Sequence, residues 1–178
     1  MKYFHAWGLK YTPHGPICFN SSYFYIFTGM VEKGKHEKYM KAALAEAQKA
    51  FDRQEVPVGA VVVLNNEIIA RAHNLTETLN DPTAHAEMQA ITAAAAWLGG
   101  KYLTGCTIYV TLEPCAMCAA AIGWSQAPEV VYGASDEKKG FTKITEPLLH
   151  PKTTVVNGVL EQECRELLLK FFRNRRNT

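Results

Sequence analysis

Short β-branched runs alternate with helix-forming segments through most of this 178-residue chain, and that alternation restricts its fold more than any other property. Residues 58–64 form an apolar run, Asn65-Asn66 is a turn signal, and residues 67–74 return with enough alternation for a second strand. Together they predict a hairpin. Ahead of it, Met40, Leu44, Ala47 and Phe51 recur at helical spacing in a segment rich in Ala, Glu, Gln and Lys that starts at Lys35. Asp81-Pro82-Thr83 supplies a cap and a helix-compatible proline before an Ala-rich helix over 85–98, which Gly99-Gly100 stops. A buried strand over 106–112, a helix over 115–125 and a strand over 129–134 follow, then a last strand over 153–159 and a helix over 161–176. The βαβ-like order predicts an α/β fold with a central mixed sheet of about five strands flanked by helices.

The chain is long enough for one packed domain, and its 48% hydrophobic and 20% charged residues exclude disorder. A net charge of +2 does not announce a nucleic-acid partner, so the distribution of charge matters more than its sum. Five cysteines, of which only Cys115 and Cys118 are closely spaced while Cys18, Cys106 and Cys164 are scattered, do not make a disulfide framework. A cytoplasmic location is expected. No stretch approaches the roughly 20 apolar residues that span a bilayer, so no membrane partner is expected. Residues 1–29 differ from everything after them, with nine of the nineteen aromatics, no acidic residue and no sustained period. They read as an N-terminal extension ahead of a domain over 30–178, with an extra strand or partner-binding arm as the alternative.

Two short clusters carry the chemistry. His85-Ala86-Glu87 and Pro114-Cys115-Ala116-Met117-Cys118 each stand at the start of a predicted helix that follows a loop or strand. One imidazole and two thiolates fill three positions of a tetrahedral zinc site, and a site with an open fourth position is of the catalytic kind. Helix N-termini favour the thiolate forms. Two thiolates neutralise the charge of Zn²⁺ and blunt its effect on bound water, so a separate base is needed. Glu87, two residues beyond His85, is placed to take the proton of water and return it to a ring nitrogen and leaving ammonia. A structural zinc knuckle would want a fourth Cys or His at matching spacing, and a redox pair would leave His85 and Glu87 idle.

This paired pattern is the signature of zinc nucleobase deaminases. The chain resembles the cytidine/deoxycytidylate deaminase superfamily from about Lys35 to Arg176, and within it is most similar to bacterial tRNA-specific adenosine deaminases. The likeness rests on Glu55-Val56-Pro57-Val58-Gly59-Ala60, Asn74, Asp81-Pro82-Thr83-Ala84-His85-Ala86-Glu87, Thr111-Leu112-Glu113-Pro114-Cys115-Ala116-Met117-Cys118, Val131-Tyr132-Gly133-Ala134 and Phe171-Phe172-Arg173. It implies a three-layer α/β/α cytidine-deaminase-like fold, one Zn²⁺ per chain on His85, Cys115 and Cys118, and a homodimer. It also implies deamination of adenosine to inosine at the tRNA wobble position, with Asn74 bonding the flipped base, Val58 lining its pocket and Asp136 near a flanking ribose or phosphate. Guanine deaminases share the zinc motifs but tend to carry Phe where Val58 stands, and they remain the first rival, together with other small-molecule nucleobase deaminases. A non-catalytic zinc module is the second, and the intact Glu87 argues against it. Trp124-Ser125-Gln126 departs from the small or basic residues of many tRNA enzymes.

Charge is concentrated at the C-terminus, where Lys170, Arg173, Arg175 and Arg176 interleave with Phe171 and Phe172 and no acid follows Glu166. Such a segment can neutralise phosphates of the tRNA anticodon loop while an aromatic stacks on a base. Equally, Leu167, Leu168 and Phe171 can bury one helix stripe and leave the basic end merely solvated.

Overall fold

The computed structural model describes residues 21–176, with side chains from Gly34 onward. Residues 1–20, and with them Cys18 and most of the expected extension, lie outside the described residues. Helix α1 (Ser21–Asp52) leads into β1 (Gly59–Leu64) and β2 (Glu67–His73), and a single-turn helix α2 (Thr76–Leu79) precedes α3 (Ala86–Leu98). Then come β3 (Cys106–Leu112), α4 (Ala116–Ser125), β4 (Glu129–Ala134), a 3₁₀ turn (Phe141–Lys143), β5 (Thr154–Val156) and α5 (Glu161–Arg176). The five strands lie in the order β2-β1-β3-β4-β5. β1 pairs antiparallel with both β2 and β3, while β3, β4 and β5 run parallel, so the sheet is mixed.

Strand geometry sends alternate side chains to opposite faces, and here both faces are covered. Ala60, Val62, Ile108, Val110 and Val130 face the layer made by α3 and α4, packing with Ala86, Ala90, Ala94 and Ile122. Val61, Val63, Tyr109 and Val131 face the other layer, with Tyr39, Met40 and Ala43 of α1 and Cys164 of α5. This two-sided burial explains why β1, β3 and β4 read as continuous apolar runs. It also confirms the three-layer α/β/α architecture.

The hairpin turn is made by Asn65 and Asn66, both at positive φ (50° and 66°), which suits the twist of a two-residue connection. Gly59 is required by packing: a Cβ there would come within 2.1 Å of the Ala43 carbonyl oxygen and 2.3 Å of the Ala47 nitrogen in α1. Three local expectations change. α1 begins at Ser21 rather than Lys35, since no proline stands between Pro16 and Pro57 to stop it. β5 is three residues long, because Asn157 and Gly158 leave the sheet, and α2 and the 3₁₀ turn are too short to leave a periodic trace.

A candidate metal and catalytic site at two helix N-termini

Both helices on one face of the sheet begin at the same place. His85 is the N-cap of α3 and Cys115 the N-cap of α4, each with extended backbone (φ −67°, ψ 156° and φ −72°, ψ 173°), so their side chains leave the helix ends toward each other. Each helix therefore starts one residue later than its sequence pattern indicated. Cys118, one turn into α4, is fully buried. His85 Nδ1 lies 3.7 Å from Cys115 Sγ and 3.5 Å from Cys118 Sγ, and the three ligand atoms all lie within 4.8 Å of one another. Tetrahedral zinc with Zn–S of about 2.3 Å and Zn–N of about 2.0–2.1 Å would hold nitrogen and sulfur about 3.6 Å apart. The donor set fits the ion in both chemistry and spacing. It is the sole such group of three or more possible ligands among the described residues.

With protein groups alone, the two thiols divide their protons unequally. Donation from the Cys118 thiol, then from His85, holds Cys115 down to about 4. The Cys118 thiol is pushed up, first by its hydrogen bond to Cys115 and then by burial. The Cys118 proton must leave before that thiol can ligate a metal, which makes metal uptake proton-linked.

Glu87, in the first turn of α3, is 3% exposed, and burial raises its carboxyl above the ordinary carboxylate range despite the nearby His85 charge. Together with His85, Cys115, Asn74, Val58 and Asp136 it lines a cavity of about 220 Å³. The expected proton shuttle, two metal ligands and all three expected substrate-binding residues therefore meet in one space. Val58 stands immediately before β1 and Asn74 immediately after β2, so the hairpin delivers both to the same end of the sheet. Thr76 and Lys139 also line this cavity, and neither stood out in the sequence.

The roles of two buried carboxylates were not visible in the sequence. Glu113 accepts hydrogen bonds from the backbone N–H of Asp136 (2.9 Å) and Thr142 (3.1 Å) and from the Thr142 hydroxyl (2.7 Å), which ties the 136–142 loop to the turn bearing Cys115. A Cβ on Gly140 would come within 2.3 Å of that carboxylate and push it away from its donors in the loop. Within the loop, Asp136 Oδ1 accepts from the N–H groups of Lys138 and Lys139, aiming one side of its carboxylate inward at its own turn. Glu55 is fully buried and accepts from Asn74, Thr76, Glu77 and Thr78. The available signal was a carboxylate inside each apolar motif, Glu113 after Leu112 and Glu55 before Val56.

The C-terminal patch divides. Phe171 is 2% exposed and packs edge-on against Phe51 at 5.9 Å, so it belongs to the core and is not available to stack on RNA. The 3.6-residue period sends it inward and its neighbour Phe172, 44% exposed, outward. Phe172 and Arg176 join Arg165, Lys138 and Lys139 along a groove that shares Val56, Leu112, Asp136 and Lys139 with the cavity. Lys170 and Arg173 face a different hollow, beside Glu163 and Glu166. Lys170 lies over the Phe51 ring and Arg175 over the Phe171 ring.

The cavity reaches two of the three residues that would hold the ion, so the metal ligands and the space where a substrate fits adjoin. That places the site in the catalytic class of three-ligand metal centres, with a buried carboxylate beside it. Residues 33–134 match the model of the cytidine and deoxycytidylate deaminase zinc-binding region, and the chain belongs to this family. It is 50% identical over 145 residues to a tRNA-specific adenosine deaminase of Bacillus subtilis (strain 168), covering 79% of this chain and 90% of that one. A solved structure from work on A-to-I editing by tRNA:A34 deaminases superposes with a TM-score of 0.70 at 45% identity, over 74% of this chain and 99% of that one. A guanine deaminase structure from Bacillus subtilis gives 0.54 at 41% identity, over 56% and 64%. No helix among the described residues is long and apolar enough to cross a membrane.

Proposed function

We propose that this protein hydrolyses adenosine to inosine at the wobble position of a tRNA, with one Zn²⁺ per chain on His85, Cys115 and Cys118. The observation that carries the reading is the continuity of the 220 Å³ cavity with a groove lined by Lys139, Arg165, Phe172 and Arg176. A free base needs only the cavity. A flipped nucleotide in a single-stranded loop puts its base there and its phosphates and neighbouring bases along the groove. The likeness to tRNA deaminases over most of both chains supports the same choice, as does Val58 in the cavity lining, where guanine deaminases tend to carry the larger Phe.

Zinc, when bound, would polarise the attacking water. Glu87 accepts the proton that water gives up, transfers it to the ring nitrogen, and assists departure of ammonia, so adenosine and water become inosine and ammonia. Its raised carboxyl suits a group that must both take and give a proton. Asn74 and Val58 bind the base, and Asp136 stands at the mouth, beside the sugar. Cysteine usage and a tRNA substrate support a cytoplasmic location. The chain acts as a homodimer in this reading, and Trp124, 83% exposed beside Tyr102, offers an apolar surface of the kind that subunits cover.

Substitution of Arg165 and Arg176 by Ala tests the groove. Affinity for an anticodon stem-loop should fall, and its log–log salt slope should flatten by about 0.7–1 for each phosphate that is no longer neutralised, with zinc content unchanged. The pair Lys170→Ala and Arg173→Ala, on the other hollow, should change the slope less. Equal affinity and slope in wild type and the Arg165/Arg176 variant would remove the groove from RNA binding.

A further inference from the structure

Glu55 is an acid with no exposed surface, 19 residues from its nearest side-chain partner in the pocket wall, and the reaction outlined above gives it no task. Its carboxylate accepts four sets of donors. Oε2 takes the Asn74 amide nitrogen at 3.1 Å, the Thr76 hydroxyl at 3.3 Å and the Glu77 N–H at 3.1 Å, and Oε1 takes the Thr78 N–H at 2.7 Å. Burial raises its carboxyl, but the N–H groups of Thr78 and Glu77 and the hydroxyl donors together outweigh it, so the group is held below the ordinary carboxylate range and stays ionised.

An ionised carboxylate can only accept hydrogen bonds. Asn74 must therefore turn its NH₂ end toward Glu55, where the same nitrogen also donates to Thr76 Oγ1 at 3.0 Å. The amide of an asparagine is close to symmetrical in shape, so sterics alone would leave its two orientations nearly equivalent. Charge removes the equivalence. The Asn74 backbone is fixed separately, its N–H donating to the Val58 carbonyl at 3.0 Å, so the carboxylate acts on the side chain rather than on the strand end.

We propose that Glu55 is a positioning residue that locks the Asn74 amide in one orientation, and that this lock sets which hydrogen-bonding edge of the nucleobase the cavity accepts. The proposal rests on the reading of the cavity as a nucleobase site. Glu55 touches no substrate. It acts through Asn74, with Thr76 completing the lock. The near-isosteric Glu55→Gln keeps an oxygen for the backbone N–H groups but offers no obligatory acceptor to Asn74, which frees the amide to turn.

A double-mutant cycle with Asn74→Ala tests this, using whichever of an anticodon stem-loop or free guanine the wild type turns over. Glu55→Gln alone should lower kcat/KM about tenfold or more, chiefly through a higher KM, with zinc content unchanged. In the Asn74→Ala background the same substitution should cost less than twofold, because no amide remains to orient. Thr76→Val, which removes the second acceptor and leaves Glu55 intact, should give a smaller loss that also vanishes without Asn74. Equal losses in both backgrounds for Glu55→Gln would show a merely structural role and overturn the proposal. Should Glu55→Gln fail to fold, an unchanged kcat/KM in Thr76→Val overturns it instead. Failure of the wild type on the stem-loop, with turnover of guanine, would refute the tRNA reading and leave the cycle to be scored on guanine.

Discussion

Burial raises both Glu87, which lines the cavity, and Glu55, which lies behind Asn74 in its wall, yet their net shifts are opposite. Glu87 is raised because desolvation outweighs its few donors, whereas Glu55 is lowered because backbone and hydroxyl donors converge on it. One is thereby suited to proton transfer and the other to holding a fixed charge. Glu87→Gln should retain zinc and the fold yet lose roughly 10²–10⁴ in turnover, the usual contribution of a positioned proton-transfer group. Metal analysis and initial rates on the same preparation check it, and near-normal turnover would hand the proton transfer to another group. At this scale His85, Glu87, Cys115 and Cys118 were legible because covalent spacing ties each to a partner two or three residues away. Glu55 and Glu113 were not, since their donors lie 19 to 29 residues further along the chain and meet them only after folding. For Phe171 the sequence left two readings open, a base-stacking one from the charge pattern and a buried one from the helix period, and the fold bears out the second.

Among the elements, the hairpin accounts for the β2–β1 neighbours and the βαβ unit for β3–β4, whereas the antiparallel β1–β3 pairing that joins them appears only in the fold. α4 connects parallel neighbours β3 and β4, which fixes its N-terminus at the carboxyl end of β3, and α3 starts at the same end. The alternation of apolar runs and helices was enough to anticipate a mixed sheet flanked by helices, and the family resemblance supplied the three layers. Single turns such as α2 have no period to detect, yet α2 is where Glu55 finds three of its donors. Gly59→Ala should destabilise the protein by about 1–3 kcal/mol, since the new methyl meets main-chain atoms of α1 that cannot move one at a time. Chemical denaturation measures that loss, and an unchanged midpoint would contradict the close seat of α1 on β1. A second prediction concerns acid. Because the folded-state value of Glu55 lies below its ordinary value of 4.5, its contribution to stability is fully present above about that pH and is lost as pH falls through the lower folded value. Denaturation profiles from pH 6 downward should thus fall less steeply for Glu55→Gln than for wild type, and parallel profiles would argue against a folded state that keeps this acid ionised.

For the whole molecule, the family match begins at residue 33 and the described buried core at Tyr39, which leaves residues 1–29 outside both. Deleting 1–29 should leave zinc content and deamination near wild-type levels, and an insoluble or inactive product would make that segment part of the working domain. The central claim is a metal-assisted deaminase whose cavity takes a base presented by RNA. It is tested most directly by giving purified, zinc-assayed protein an anticodon stem-loop with adenosine at the wobble position, free guanine and free cytidine side by side. Inosine at that single position, with little product from the free compounds and none from the stem-loop after complete metal removal, is the predicted result. Efficient deamination of free guanine with the stem-loop untouched would contradict the substrate, and full activity without metal would contradict the chemistry.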